Sequence, residues 1–129
     1  MHFVYIVMGL ALLQYLYFGY AVGGARERYS VKAPAISGHD QFERYLRVQM
    51  NTLELIVVFI PALLLFGTYV SVLWAALLGL VYIVGRFVYF AAYLKDPGKR
   101  SVGFGMSLLP IAALLLGGLI GAGMAAFRG

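Results

Sequence analysis

Apolar residues fall into long uninterrupted runs separated by short polar ones. Met1–Ala25 and Ser101–Phe127 contain no Asp, Glu, Lys or Arg, and Val48–Gly85 contains only Glu54. A helix rising about 1.5 Å per residue crosses the hydrocarbon layer in roughly 20 mostly apolar residues. Each charge-free run is long enough for that, and the run from Val48 to Gly85 is too long for one crossing. Gly67, Thr68 and Ser71 mark a break inside it. The pattern predicts four helices, at about 3–24, 42–66, 70–94 and 102–127, with a tight hairpin between the second and third. The expected fold is all-α: one integral membrane four-helix bundle of up-down topology occupying residues 1–129. Pro61 and Pro110 fall inside predicted helices, which membrane bundles tolerate when neighbours satisfy the freed carbonyls, and a kink is expected at each.

Composition narrows the function classes. The chain is 63% hydrophobic and 12% charged, where a soluble domain carries roughly 45–50% and about 25%. A soluble enzyme, a disordered segment and a nucleic-acid-binding module are excluded on that ground. With no cysteine there is no disulfide framework, thiolate nucleophile or cysteine metal site. His2 and His39 have no metal-ligand company, so no metal is expected. A cleaved leader is disfavoured for the first run, because no Lys or Arg precedes it.

The net charge of +5 is concentrated in two segments. Arg26, Arg28, Lys32, Arg44 and Arg47 surround the first loop, and Lys95, Lys99 and Arg100 occupy the third. The hairpin between them has no charge, and the C-terminus adds only Arg128. Basic residues mark cytoplasmic loops, so loops 25–41 and 95–101 are expected inside and both termini outside. Trp74 suits an anchor at the outer interface. The spacings Gly19/Gly23 and Gly117/Gly121 allow close helix approach.

Ionisable residues within spans are costly and need a partner or a use. Arg44, Arg47, Asn51 and Glu54 recur at helical spacing on the second helix, and Tyr82, Arg86, Tyr89 and Tyr93 do so on the third. Each set occupies one helical face. From the expected boundaries, Glu54 lies roughly 9 Å and Arg86 about 12 Å below the same surface. A Glu54–Arg86 ion pair is the simplest expectation. Arg26, Arg47 and Arg100 converge on the same end, and with Asn51 and the tyrosines they suggest a donor-rich cavity. Guanidinium forks suit carboxylates, so a small polyanion reaching the site from the cytoplasm is the implied guest.

These residues carry a resemblance. Ala25-Arg26 through Pro34 and Gly38, then Phe42-Glu-Arg-x-x-Arg-x-Gln-x-Asn-x-x-Glu54, is similar to the MAPEG superfamily of membrane-associated proteins in eicosanoid and glutathione metabolism. Gly85-Arg86-x-x-Tyr89-x-x-x-Tyr93, Pro97 and Arg100-x-x-Gly103-Phe104 resemble its bacterial, microsomal-glutathione-transferase-like branch, which implies a bacterial inner membrane. The likeness spans nearly the whole chain. It implies a homotrimer with glutathione, as co-substrate, held between subunits near the cytoplasmic side. Arg26, Arg47, Gln49, Asn51, Glu54, Tyr89 and Tyr93 occupy the family's glutathione-contact positions, and Arg86 joins them from the polar face of the third helix. Arg100 falls where the family's transferases carry the arginine that stabilises the glutathione thiolate. Leu55 stands where one branch has a tyrosine, which argues against that branch's substrate. Gln49 is about 200° round the helix from Arg47, which an interface site drawing on several subunits accommodates.

The resemblance implies a detoxifying glutathione S-transferase acting on lipophilic electrophiles from the bilayer, with lipid-hydroperoxide peroxidase activity as a variant. The alternative is a noncatalytic lipid-binding or scaffold protein, which the family also contains. A small proton-coupled exporter is disfavoured, because the membrane glutamate lies on the second helix among arginines rather than on the first.

Overall fold

The computed structural model describes residues 1–129. Its helices are α1 (His2–Arg28), α2 (Asp40–Tyr69), α3 (Val72–Lys95) and α4 (Ser101–Phe127), with a single 3-10 turn, Pro97–Lys99, before α4. All four are long and apolar enough to cross a membrane. They form the four-helix bundle expected from the charge-free runs. α1 and α2 run past the charge-free segments into the first loop, to Arg28 and from Asp40, and a side-chain cap fixes the start of α2. His39 Nδ1 accepts from the Gln41 amide at the start of α2 (3.1 Å), and the His39 ring stacks on Tyr29.

The hairpin turns at Val70 and Ser71. Ser71 Oγ accepts from the Trp74 amide (3.2 Å) and caps α3. Ser71→Ala is expected to lower stability by about 1 kcal/mol, measured by thermal unfolding in detergent.

The helices α2 and α3 form the central pair, and α1 and α4 each pack against both without a comparable interface between themselves. Lipid is as apolar as leucine, so such helices associate through close packing and internal hydrogen bonds rather than by escape from water. The buried stripe of α1 shows the helical period: Val4, Val7, Ala11, Gln14, Phe18, Val22 and Ala25. Gln14 lies within it and donates Nε2–H to the Ile83 carbonyl (2.8 Å), a polar tie between α1 and α3. The remaining faces carry exposed Leu, Ile and Phe side chains suited to lipid.

Small residues set the tightest contacts. A Cβ at Gly85 would lie 2.8 Å from the Met106 backbone, and one at Gly103 would overlap the backbone of Tyr89. The α3 and α4 backbones therefore meet at two glycines, one on each helix. Gly117 and Gly121 fit against Phe66 and Tyr69 of α2 and Val70 of the hairpin. Of the other spaced pair, Gly19 abuts the Gln49 side chain, whereas Gly23 faces open space.

Candidate functional site

At the end of the bundle where loops one and three meet, α2, α3 and the turn before α4 surround a cavity of about 370 Å³. Arg47, Met50, Asn51, Glu54, Tyr89, Tyr93 and Arg100 line it. The volume is in the range of small-molecule sites, roughly 300–1,000 Å³. Four residues, Arg47, Met50, Asn51 and Glu54, come from one face of α2 at helical spacing, and two tyrosines come from one face of α3. The tyrosine rings stack, with centroids 5.4 Å apart.

Arg100 arrives by a different device. Asp96 Oδ1 accepts from the Gly98 amide (3.0 Å), which closes the Asp96-Pro97-Gly98 turn. Arg100 then donates Nη1–H to the Pro97 carbonyl (2.8 Å), holding its guanidinium at the cavity edge. The turn is itself fastened to α2. Arg44 donates to the carbonyls of Leu94 (3.1 Å) and Lys95 (3.0 Å), and Gln41 also donates to Leu94 (3.0 Å). Those carbonyls end α3 and have no helical donor, so a cation there also complements the helix dipole. Arg44 pairs with Asp40 at 3.0 Å. It shares its helical stripe with Arg47 but serves as a clamp on α3 and does not line the cavity.

Arg86 departs from the expected pairing. It is completely buried and makes no ion pair with Glu54, since Arg44–Asp40 is the only salt bridge in the chain. Its Nε donates to Ser107 Oγ (2.8 Å), and its Nη1 donates to Asn51 Oδ1 (2.7 Å) and Thr52 Oγ1 (3.1 Å). Thr52 and Glu54 are two residues apart, about 200° round the helix. An arginine reaching Thr52 is therefore turned away from Glu54, which stays exposed on the cavity rim. Arg86 also sits 4.3 Å from the centroid of the Tyr89 ring, a favourable cation–π distance.

Three other expected residues lie apart from the cavity within one chain. Gln49 points toward Gly19 of α1. Arg26 donates to the Ala35 carbonyl (2.8 Å), stacks over Phe42 and borders a separate surface depression with Glu27 and Lys32. Tyr82 lies in the core, stacked on Phe59 at 3.9 Å. Met50 lines the cavity although its apolar side chain gave no sign of it. Thr52 and Ser107 support the site from behind; Ser107 is a lone hydroxyl in an otherwise apolar α4, and Thr52 sits between Asn51 and Glu54 without marking itself out.

The rim therefore offers two guanidiniums, one carboxylate, one amide and two phenol rings. That set suits a small zwitterionic acid with more carboxylates than ammonium groups.

Comparison with known proteins gives a consistent result. Residues 4–120 match the model of the MAPEG family. The chain is 43% identical to human microsomal glutathione S-transferase 2 over 112 residues, which cover 87% of this chain and 76% of that one. It is 42% identical to a protein of Synechocystis over 115 residues, 89% of this chain and 84% of the relative. Bovine leukotriene C4 synthase is 35% identical over 91 residues, 70% of this chain and 61% of the synthase.

Proposed function

The chain belongs to the MAPEG family and is an integral membrane protein, and from that premise we propose that it is a glutathione S-transferase acting on lipophilic electrophiles. Transferases that use glutathione are among its relatives. The observation that carries the reading is the charge arrangement of one cavity: Arg47 and Arg100 against Glu54, with Asn51, Tyr89 and Tyr93 between them. Glutathione has the complementary set, with two carboxylates, one ammonium and a thiol. Arg47 would hold a carboxylate, Glu54 the ammonium and Arg100 the sulfur.

A free thiol ionises near pKa 8.5, so only a few per cent is thiolate at pH 7. An adjacent guanidinium favours the anion. The thiolate sulfur then attacks the electrophilic carbon, the new C–S bond displaces a leaving group or an electron pair, and water supplies any proton that pair needs. Toward a lipid hydroperoxide, two glutathione molecules would give the alcohol, water and the disulfide. Holding the electrophile beside the sulfur supplies the rest of the acceleration.

The assembly we propose is a homotrimer with loops 25–41 and 95–101 in the cytoplasm of a bacterial cell and the protein in its inner membrane. Under that arrangement Arg26 and Gln49, which lie apart from the cavity of their own chain, would serve the cavity of a neighbour. The electrophile would arrive from the bilayer, between α1 and α4 of adjacent chains.

Calorimetry on the purified protein tests the reading. Glutathione is expected to bind, and Glu54→Gln to weaken it about tenfold, the value of a hydrogen bond between charged groups. A glutathione analogue lacking the amino group should bind wild type and variant equally. Absence of glutathione binding by the wild type would favour the noncatalytic scaffold.

A further inference from the structure

Behind the cavity lies a second layer of polar groups. Arg86 is sealed from solvent, yet it contacts two residues that line the cavity, Asn51 by hydrogen bond and Tyr89 through its ring face. Its other partners are set in advance. Thr52 spends its hydroxyl proton on the Val48 carbonyl (2.7 Å), and Ser107 spends its own on the Gly103 carbonyl (2.7 Å). Both hydroxyl oxygens are thus left to accept, and both accept from Arg86. No carboxylate pairs with the guanidinium, so these neutral oxygens and the Tyr89 ring are what hold it.

The polarity of Asn51 follows. A guanidinium has donors only, so the atom that faces it must be the amide oxygen. The Asn51 NH2 group must then point the other way. It makes no hydrogen bond within the chain and is not among the sealed polar atoms that lack a partner. Asn51 itself lines the cavity.

We infer that Arg86 is a positioning residue: it fixes the Asn51 side chain with its two N–H donors directed into the cavity and fixes the Tyr89 ring beside it. At that point the cavity is committed to an acceptor on the ligand, a carbonyl or carboxylate oxygen, and rejects an ammonium or amide N–H. The choice of glutathione as the ligand rests on the proposed function, whereas the orientation of Asn51 does not. Arg86 acts through Asn51 and Tyr89 without touching the ligand.

Asn51 is the only asparagine in the chain, which makes a direct test available. Full-length protein labelled with heavy nitrogen in asparagine gives one side-chain NH2 signal pair. In wild type that pair is expected to be as rigid as the backbone. Arg86→Gln is expected to make it mobile, and Arg86→Lys, which keeps the charge and a donor, to recover part of the order. In parallel, Arg86→Gln should raise the glutathione KM about tenfold, the worth of one hydrogen bond. In an Asn51→Ala background it should add less than about twofold, because coupled residues are not additive. Should the glutamine variant fail to fold, the lysine variant decides, with a loosened amide and a smaller rise in KM expected.

An Asn51 amide unchanged in the Arg86 variants would overturn the inference. So would an undiminished effect of Arg86→Gln in the Asn51→Ala background. A wild-type protein that takes up no glutathione, while its Asn51 amide is rigid and loosens in the variants, would support the positioning and overturn the proposed function instead.

Discussion

Replacing Arg100 by alanine is expected to cut glutathione conjugation at pH 7 by about thirtyfold, the full reactive gain from ionising a thiol of pKa near 8.5. The residue is well placed for that effect. It is exposed, held at the cavity edge by its bond to the Pro97 carbonyl, and shares the lining with Tyr89 and Tyr93. The sign of the pH dependence follows from its charge. A guanidinium beside the sulfur favours the anion and lowers the pH at which the thiol ionises. The wild-type rate should therefore already be on its plateau at pH 7. Without Arg100 the thiolate forms only as pH rises toward its ordinary value, so the variant's rate should climb about tenfold per pH unit below that value. The two should converge at about pH 9, above the ordinary thiol pKa. A pH–rate profile of both proteins, with thiolate absorbance of the bound glutathione as a second readout, checks it. Parallel profiles at every pH would remove Arg100 from this role.

The second large effect comes from a residue with no side chain. Gly103→Ala would put a methyl group into the backbone of Tyr89. Backbone cannot swing aside as a side chain can, so α3 and α4 must separate. Overpacking of this kind costs typically about 1–3 kcal/mol. The displacement would also strike the site, because Tyr89 lines the cavity and the Gly103 carbonyl accepts the proton of Ser107, which in turn holds Arg86. The variant is thus expected to lower both the melting temperature and the affinity for glutathione. Gly105→Ala is the control. Nothing lies within 4 Å of a Cβ there, so the affinity should not change and the melting temperature should hold or rise, alanine being the better helix former. Equal melting temperatures for the two variants would contradict the tight α3–α4 contact.

The spans were legible because charge is excluded from hydrocarbon, so the runs without Asp, Glu, Lys or Arg mark the membrane-crossing parts of the helices, while α1, α2 and α3 continue into charged segments at their loop ends. The cavity was legible in part for a related reason. Arg47, Asn51 and Glu54 share one face of α2, and Tyr89 and Tyr93 share one face of α3, so spacing alone groups each set. Arg100 was placed by its family resemblance, and the Asp96-Pro97-Gly98 turn supplies the local cause.

What spacing does not supply is the rotation of each helix about its own axis. Glu54 and Arg86 stand at similar depth, yet Arg86 turns between Asn51 and Thr52 toward Ser107 on α4, a helix whose azimuth no single-helix pattern reveals. The same limit applies to Tyr82, whose stripe passes from the cavity into the core one turn below Arg86, and to Arg44, which the stripe groups with Arg47 but which caps α3. Gln49 and Arg26 lie apart from the cavity of their own chain because they sit on the faces of α2 and α1 that meet each other and the first loop.

The most direct measurement is an experimental structure of the protein in lipid with glutathione added. The tripeptide should lie in the cavity lined by Arg47, Asn51, Glu54, Tyr89, Tyr93 and Arg100, with its sulfur toward Arg100 and an acceptor oxygen on the Asn51 amide. A cavity left empty at saturating glutathione, or a tripeptide bound elsewhere with these side chains turned to lipid headgroups, would contradict it.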